Sequence, residues 1–229
     1  MKIFGISDLH LSFTTDKAMD KFGAKWSEHW KKIESNWRGT ISDDDVVLIP
    51  GDISWGMRPM DAVQDIKWLC SLPGKKVLTR GNHDYWWQSI SKMRNAYPDL
   101  IFLQNDSITF GDTAICGTRG WTLPGASDFK EEDRKLYLRE LARLEMALKT
   151  MPNASCKIAM LHFPPAYAPY FSSGFTDLLE QYGINICVYG HLHGQAVPSS
   201  DFDFQAKGID YKLISCDYLN FKPLLIRET

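Results

Sequence analysis

The chain has 229 residues, 44% of them hydrophobic and 24% charged, with a formal net charge of -2. Those proportions fit a soluble globular protein, and no stretch approaches the ~18 consecutive apolar residues of a membrane span. The near-neutral charge supplies no overall attraction to nucleic acid or to an anionic membrane, so neither is an expected partner. Five cysteines lie far apart with no Cys-x-x-Cys pair. Cys70, Cys116, Cys156 and Cys187 sit in or beside apolar runs, which predicts buried thiols in a reducing compartment. The opening run Met1–Ile6 is too short for a signal-peptide core, so the expected location is the cytoplasm.

In chain order, Ile3–Ser7 reads as a buried strand that ends at Asp8-Leu9-His10. Residues two apart in extended chain project to the same side, which pairs Asp8 with His10. Asp16–Trp37 follows, with Phe22, Trp26, Trp30, Ile33 and Trp37 at helical intervals, and His29 is expected on the solvated face of that helix. Asp43–Asp45 is a turn. Val46–Ile49 is a second buried strand, running into Pro50-Gly51-Asp52. Pro59 suits the first position of a helix through Cys70, and Pro73-Gly74 ends it. Lys75–Leu78 is the next strand, so strand, helix and strand imply parallel pairing.

Gly81-Asn82-His83-Asp84 then forms a bend ahead of a predicted helix over Tyr85–Ala96, where Asp84 suits the N-cap. Ile101–Leu103, Ser107–Phe110 and Thr113–Cys116 read as short strands of a hairpin or meander. A loop rich in breakers carries Arg119 and Trp121. Lys130–Lys149 is an amphipathic helix with Leu136, Leu141, Leu144 and Leu148 as its stripe and a solvated charged face. Lys157–Leu161 is a strand ending at His162, and Ile184–Val188 is another ending at Gly190-His191-Leu192-His193. Strands near Gln205–Lys207, Tyr211–Ser215 and Pro223–Arg227 close the chain, in a region expected to be antiparallel. No internal repeat or linker interrupts it, so residues 1–229 are expected to form one domain.

Five strand ends thus carry ligand-capable groups: Asp8 with His10, Asp52, Asn82 with His83, His162, and His191 with His193. Carboxylates, imidazoles and an amide oxygen, with no thiolate, suit borderline to hard divalent ions such as Mn²⁺, Fe²⁺ or Zn²⁺. Open α/β sheets place ligands at the carboxyl ends of their strands, which is where these groups fall.

The order Asp-x-His, Gly-Asp, Gly-Asn-His-Asp, an isolated His and Gly-His-x-His resembles the calcineurin-like metallophosphoesterase superfamily. The motifs run from Asp8 to His193. The resemblance implies an α/β fold, a four-layer α/β/β/α sandwich of two mixed sheets flanked by helices, with two divalent metal ions at the strand ends. It implies that Asp8, His10 and His193 hold one ion, that Asn82, His162 and His191 hold the other, and that Asp52 bridges them. A hydroxide shared by the ions would attack phosphorus in line. His83 would protonate the leaving oxygen as general acid, with Asp84 orienting its ring and raising its pKa.

The implied substrate is a phosphodiester or small phosphate ester. Phosphoprotein phosphatases follow Gly-Asp with an Asp-Arg-Gly element, whereas Gly51-Asp52 continues into Ile53-Ser54-Trp55-Gly56; they also end the third motif in Glu rather than Asp84. A binding scaffold without activity is the other alternative, although every ligand position is filled. Arg119 is a candidate to grip phosphate, and Trp121, Trp55 and Trp86 are candidates to stack on the substrate. Phe163, Tyr167 and Tyr170 are candidates for an apolar rim.

Overall fold

In the computed structural model, which describes residues 1–166, 172–194 and 202–229, two mixed sheets lie face to face. The first has the order β11-β1-β2-β3-β4, from β1 (Lys2–Gly5), β2 (Val46–Pro50), β3 (Lys75–Thr79), β4 (Leu100–Phe102) and β11 (Leu224–Glu228). The second has the order β5-β6-β7-β8-β10-β9. Its strands are β5 (Ser107–Phe110), β6 (Thr113–Thr118), β7 (Cys156–Leu161), β8 (Ile186–Tyr189), β9 (Phe204–Ala206) and β10 (Ile209–Leu213). Strands β1 to β4 run parallel, as do β6, β7, β8 and β10, while β11, β5 and β9 are antiparallel edges.

Alternation along the strands builds the layers. Val46 and Leu48 of β2 face Ile158 and Met160 of β7 in a core between the sheets. Val47 and Ile49, one residue out of step, turn the other way into a core with the helices α1 (His29–Arg38) and α2 (Val63–Ser71). On the second sheet, Ala159 and Leu161 pack toward α4 (Glu131–Lys149) and α5 (Gly174–Gln181). Strands covered on both faces read as continuous apolar runs, which is why they stand out in the sequence. The expected four-layer arrangement is therefore present. Among the described residues no helix is long and apolar enough to cross a membrane.

Four local expectations change. The Asp16–Trp37 stretch is not one helix. Two 3₁₀ turns, Met19–Phe22 and Ala24–Trp26, are separated by Gly23 at φ 124°, and α1 begins only at His29. His29 is not solvated either. It is buried, with Nε2 2.9 Å from the Leu9 carbonyl oxygen and Nδ1 3.2 Å from that of Trp26, so it braces the turn that carries His10. The predicted Tyr85–Ala96 helix shortens to α3 (Ile90–Ala96) with Ser89 at its N-cap position, because Trp86 and Trp87 turn into the core instead. Finally, the closing region is not wholly antiparallel: β10 joins β8 in parallel register. The five cysteines are free thiols, and burial raises those of Cys116, Cys187 and Cys216.

Candidate metal centre

Because the central strands are parallel, their carboxyl ends share one edge of the molecule. There the two sheets meet in a β-bridge between Ser7, past β1, and Ser215, past β10. Asp8 leaves that bridge with both oxygens engaged. Ser7 Oγ donates to Oδ2, Ser215 Oγ donates to it at 3.1 Å, and the His191 amide spans both oxygens at 3.0 and 3.1 Å. A Cβ on Gly190 would lie 2.2 Å from Asp8 Oδ2, so only glycine lets β8 approach this closely.

Two donor groups converge. In one, ligand atoms of Asp8, His10 and His193 lie within 4.8 Å of one another; in the other, those of Asp8, Asp52 and His162 do. His193 Nε2 is 3.1 Å from both Asp8 Oδ1 and His10 Nε2. Asp52 Oδ2 stands between the groups, 3.8 Å from His10 Nε2 and 3.5 Å from His162 Nε2. Asn82 Oδ1 is 2.6 Å from His162 Nε2. His191 falls outside both tight groups; its ring is 5.1 Å from that of His162 and 4.1 Å from that of Phe163.

The backbone is bent to make this happen. Asp8, His10, Asp52 and His191 all have positive φ, at 58°, 45°, 51° and 72°. Non-glycine residues there cost on the order of 1–3 kcal/mol each, and such strain gathers at functional sites.

The electrostatics also point to cations. His162 Nδ1 is 2.9 Å from the Pro50 carbonyl oxygen, so in the neutral ring it donates there and leaves Nε2 as a bare lone pair. That lone pair faces the Asn82 oxygen, and two acceptors at this distance need a positive charge between or beside them. Burial pushes His10 well below the ordinary histidine range, and burial with the neighbouring His162 lowers His191 to about 3. Burial pushes Asp8 up, but His193 outweighs it and holds the carboxylate below its usual range. Burial raises Asp52 to about 7, with Asp8 and Asp84 adding to it against the pull of His162. Carboxylates, imidazoles and an amide oxygen aimed at shared points fit divalent cations, and the residues present suit them.

Asp84 does something other than expected. Its carboxylate accepts from the backbone amides of Asp52 (2.9 Å), Ile53 (2.9 Å), Ser54 (3.3 Å) and Gly81 (2.8 Å), and from the Trp86 indole (2.9 Å). It neither caps α3 nor bonds the His83 ring. It ties the Asp52 turn to the Gly81 turn, while the His83 amide donates to Asp52 Oδ1 at 2.8 Å. Gly81 makes room for this: a Cβ there would lie 2.1 Å from Asp52 Oδ1. The His83 ring leans on Trp55, centroids 4.4 Å apart, and sits 5.8 Å from His10. Burial and the neighbouring His162 lower its pKa, and Asp84 opposes this only partly.

The sequence reading missed Asp217. Its Oδ1 is 3.0 Å from His193 Nδ1 and its Oδ2 accepts from the Gly194 amide at 3.0 Å, so it fixes the ring with Nε2 toward the donors. Burial raises the Asp217 carboxyl, but the His193 contact wins and lowers it; burial likewise lowers His193, but Asp8 and Asp217 carry it to about 10. An Asp just past β10 is the same strand-end signal that marked the others.

The aromatic candidates divide. An apolar recess of about 240 Å³ opens against His10, His83 and His193, walled by Met19, Phe22, Trp26 and Trp55. Trp121 and Phe163 line a second recess of about 200 Å³ beside His191. Trp86 is buried in the core, away from both. Arg119 pairs with Glu140 at 3.5 Å and lies over the Trp121 ring. Tyr167 and Tyr170 lie outside the described residues.

Comparison with known proteins agrees with this architecture. The calcineurin-like phosphoesterase family pattern matches residues 1–195. A segment of 78 residues is 32% identical to the gene 66 protein of Mycobacterium phage L5, covering 34% of this chain and 37% of that protein. The chain thus spans little more than a third of that curated relative's length. Among solved structures, phosphopantetheinyl hydrolase from Mycobacterium tuberculosis superposes with a TM-score of 0.60 at 17% identity, covering 93% of this chain and 89% of the other. The Aquifex aeolicus protein AQ665, of unknown function, superposes at 0.51 and 16% identity, covering 97% and 94%. At those identities the structures speak for the fold alone. The family pattern spans most of the chain and takes in both donor groups, so this protein belongs to the calcineurin-like phosphoesterase family.

Proposed function

We propose that this chain is a divalent-metal-dependent hydrolase of a phosphodiester or small phosphate ester whose leaving group is largely apolar. The carrying observation is the placement of His83 in the wall of the apolar recess, together with His10 and His193. Asp8, His10 and His193 would hold one cation and Asn82, His162 and His191 the other, with Asp52 Oδ2 placed between them to serve both. Bound there, the cations supply Lewis acidity toward the phosphoryl oxygens and lower the pKa of water.

The chain's own residues do the rest. Trp55, Trp26, Met19 and Phe22 receive the organic part of the ester and exclude water from it. Phe22 stands largely exposed at the edge of this recess, an apolar surface open to a ligand. His83 has no hydrogen bond to its ring nitrogens among the described residues, so in its protonated form, which its lowered pKa restricts to the acid side of neutrality, nothing holds the proton back from the departing oxygen. Asp84 positions His83 indirectly, through the two turns it ties together.

The test compares two esters with metal-analysed protein, one releasing p-nitrophenol and one releasing an alkyl alcohol. A phenolate leaves without help, while an alkoxide needs the proton. His83→Ala should therefore lower kcat on the alkyl ester by about 10²–10⁴-fold, and much less on the nitrophenyl ester, with metal content unchanged. Equal losses on both esters would remove His83 as the acid. No turnover of any ester by fully metallated protein would favour a binding scaffold.

A further inference from the structure

A separate cavity of about 280 Å³ opens at the carboxyl ends of β3 and β6, under α4. None of the residues assigned to the cations lines it. Its wall carries four guanidinium groups, Arg80, Arg119, Arg139 and Arg143, and one carboxylate, Glu140. Glu140 is 1% exposed, which contradicts the solvated charged face expected of α4. Its Oε1 lies 2.8 Å from Arg143 Nη1 and 3.5 Å from both Arg119 Nη2 and Arg139 Nε, and its Oε2 accepts from Thr118 Oγ1 at 2.8 Å.

One carboxylate offsets one of those four charges and leaves three. Among the described residues, Arg80 Nε donates to the Asp84 backbone carbonyl at 3.2 Å, which is uncharged, and Arg80 makes no ion pair. Burial lowers the Arg119 guanidinium to about 10; Glu140 pulls it up, while Arg80, Arg139 and Arg143 push it down. Like charges gathered in a partly enclosed space repel strongly unless an anion joins them. An internal counter-charge for packing alone would need one arginine, not four.

A second observation is independent of charge. Thr79 Oγ1, Trp87 Nε1, Asn105 Oδ1 and Arg119 Nε are buried without a hydrogen-bond partner among the described residues, and all four residues line this cavity. Buried polar atoms are nearly always satisfied, so a cluster of orphans around one space marks a missing occupant. Three of the four, the Thr79 hydroxyl, the Trp87 indole and the Arg119 guanidinium N–H, are donors that suit an oxyanion; the Asn105 oxygen is an acceptor and would take a hydroxyl of the bound species or a water beside it. The volume lies near the small end of ligand sites, enough for a phosphoryl group with little attached.

We propose that this cavity binds a small phosphate-type oxyanion, at a site separate from the ester at the cation centre. Its carriers are inorganic phosphate or the phosphoryl group of a small metabolite.

The experiment titrates the metal-loaded full chain with inorganic phosphate by calorimetry, comparing wild type with Arg139→Gln, Arg139→Glu and Arg143→Gln. Arg139 is about half exposed, so its variants keep the fold, and thermal melts check this. One phosphate per chain should weaken about tenfold in Arg139→Gln, the loss of one charge-assisted bond, and vanish in Arg139→Glu. Phosphate held at the cations should stay. Isotherms unchanged in all three variants would overturn the proposal, as would a wild type that binds phosphate only where the cations sit. The readout needs no turnover, so its failure is distinct from failure of the hydrolase reading. Glycerol 3-phosphate in place of phosphate then separates the two carriers: tighter arginine-dependent binding indicates a metabolite, and equal or weaker binding indicates the free ion.

Discussion

Asp45 and Asp52 flank the same strand, one just before β2 and one just past it, and their surroundings are opposite in kind. Asp45 accepts from the Lys2 amide at 2.7 Å, the Ser42 amide at 2.9 Å and the Ser42 hydroxyl at 2.7 Å. Burial pushes its carboxyl up, but these donors outweigh it and the pKa falls. Among the described residues Asp52 has one such donor to its carboxylate, the His83 amide, and otherwise faces His10 and His162; burial pushes its pKa up, and the carboxylates of Asp8 and Asp84 add to this. The amino end of the strand satisfies its carboxylate, and the carboxyl end leaves one buried and short of partners. Along this strand, position and burial alone do not mark the ligand: Asp45 is saturated by donors of its own, and Asp52 is turned toward other ligand-capable groups.

The sharpest way to break this comparison is Asp52→Asn. Cation content should fall and ester turnover should drop about a thousandfold or more, since several kcal/mol of charge stabilisation depend on the ions. Elemental analysis beside a rate assay checks it; full occupancy would place Asp52 with Asp45 as a structural residue. A smaller effect is expected from Asp84→Ala, which strips the acceptor from four backbone amides and an indole N–H at the Asp52 and Gly81 turns. It should cost about 3 kcal/mol or more of stability, read from urea midpoints, because each orphaned buried donor carries its own penalty. A variant as stable as wild type would make the Asp84 network incidental.

The smallest effect belongs to Asp45 and is a pH dependence. Its folded pKa lies below the unfolded one, so its contribution is present above the ordinary Asp range and is lost as pH falls through the lowered value. The stability gap between wild type and Asp45→Asn should therefore close as pH drops below about 4. A gap that stays constant through acid would mean that the carboxylate charge contributes nothing there.

Much of the site was legible because parallel strands buried on both faces are unmistakable apolar runs, and the donors follow them directly. Asp8, His10, Asp52, Asn82, His162 and His193 meet for that reason. The breaks came where tertiary contacts outweighed local pattern. Helical spacing around Phe22 and Trp26 yielded to Gly23, and His29 left the solvent to brace Leu9. Asp84 had the position of a cap but found better donors across the turn from Asp52. Glu140 sat among charges on a helix whose polar face the periodicity assigned to water, and the second sheet turned that part of the face into a cavity.

By itself, the sequence determined the strands, their parallel order through β3, and the chemical types waiting at their ends. These follow from period, burial and turn residues within a few positions of one another. Only the tertiary structure decided which carboxylate is saturated and which is left open, and that four arginines share one space. Ser42 supplies Asp45 from within its own turn, but Lys2, the neighbours of Asp52 and the four arginines arrive from distant segments, a sum that no local stretch of chain contains.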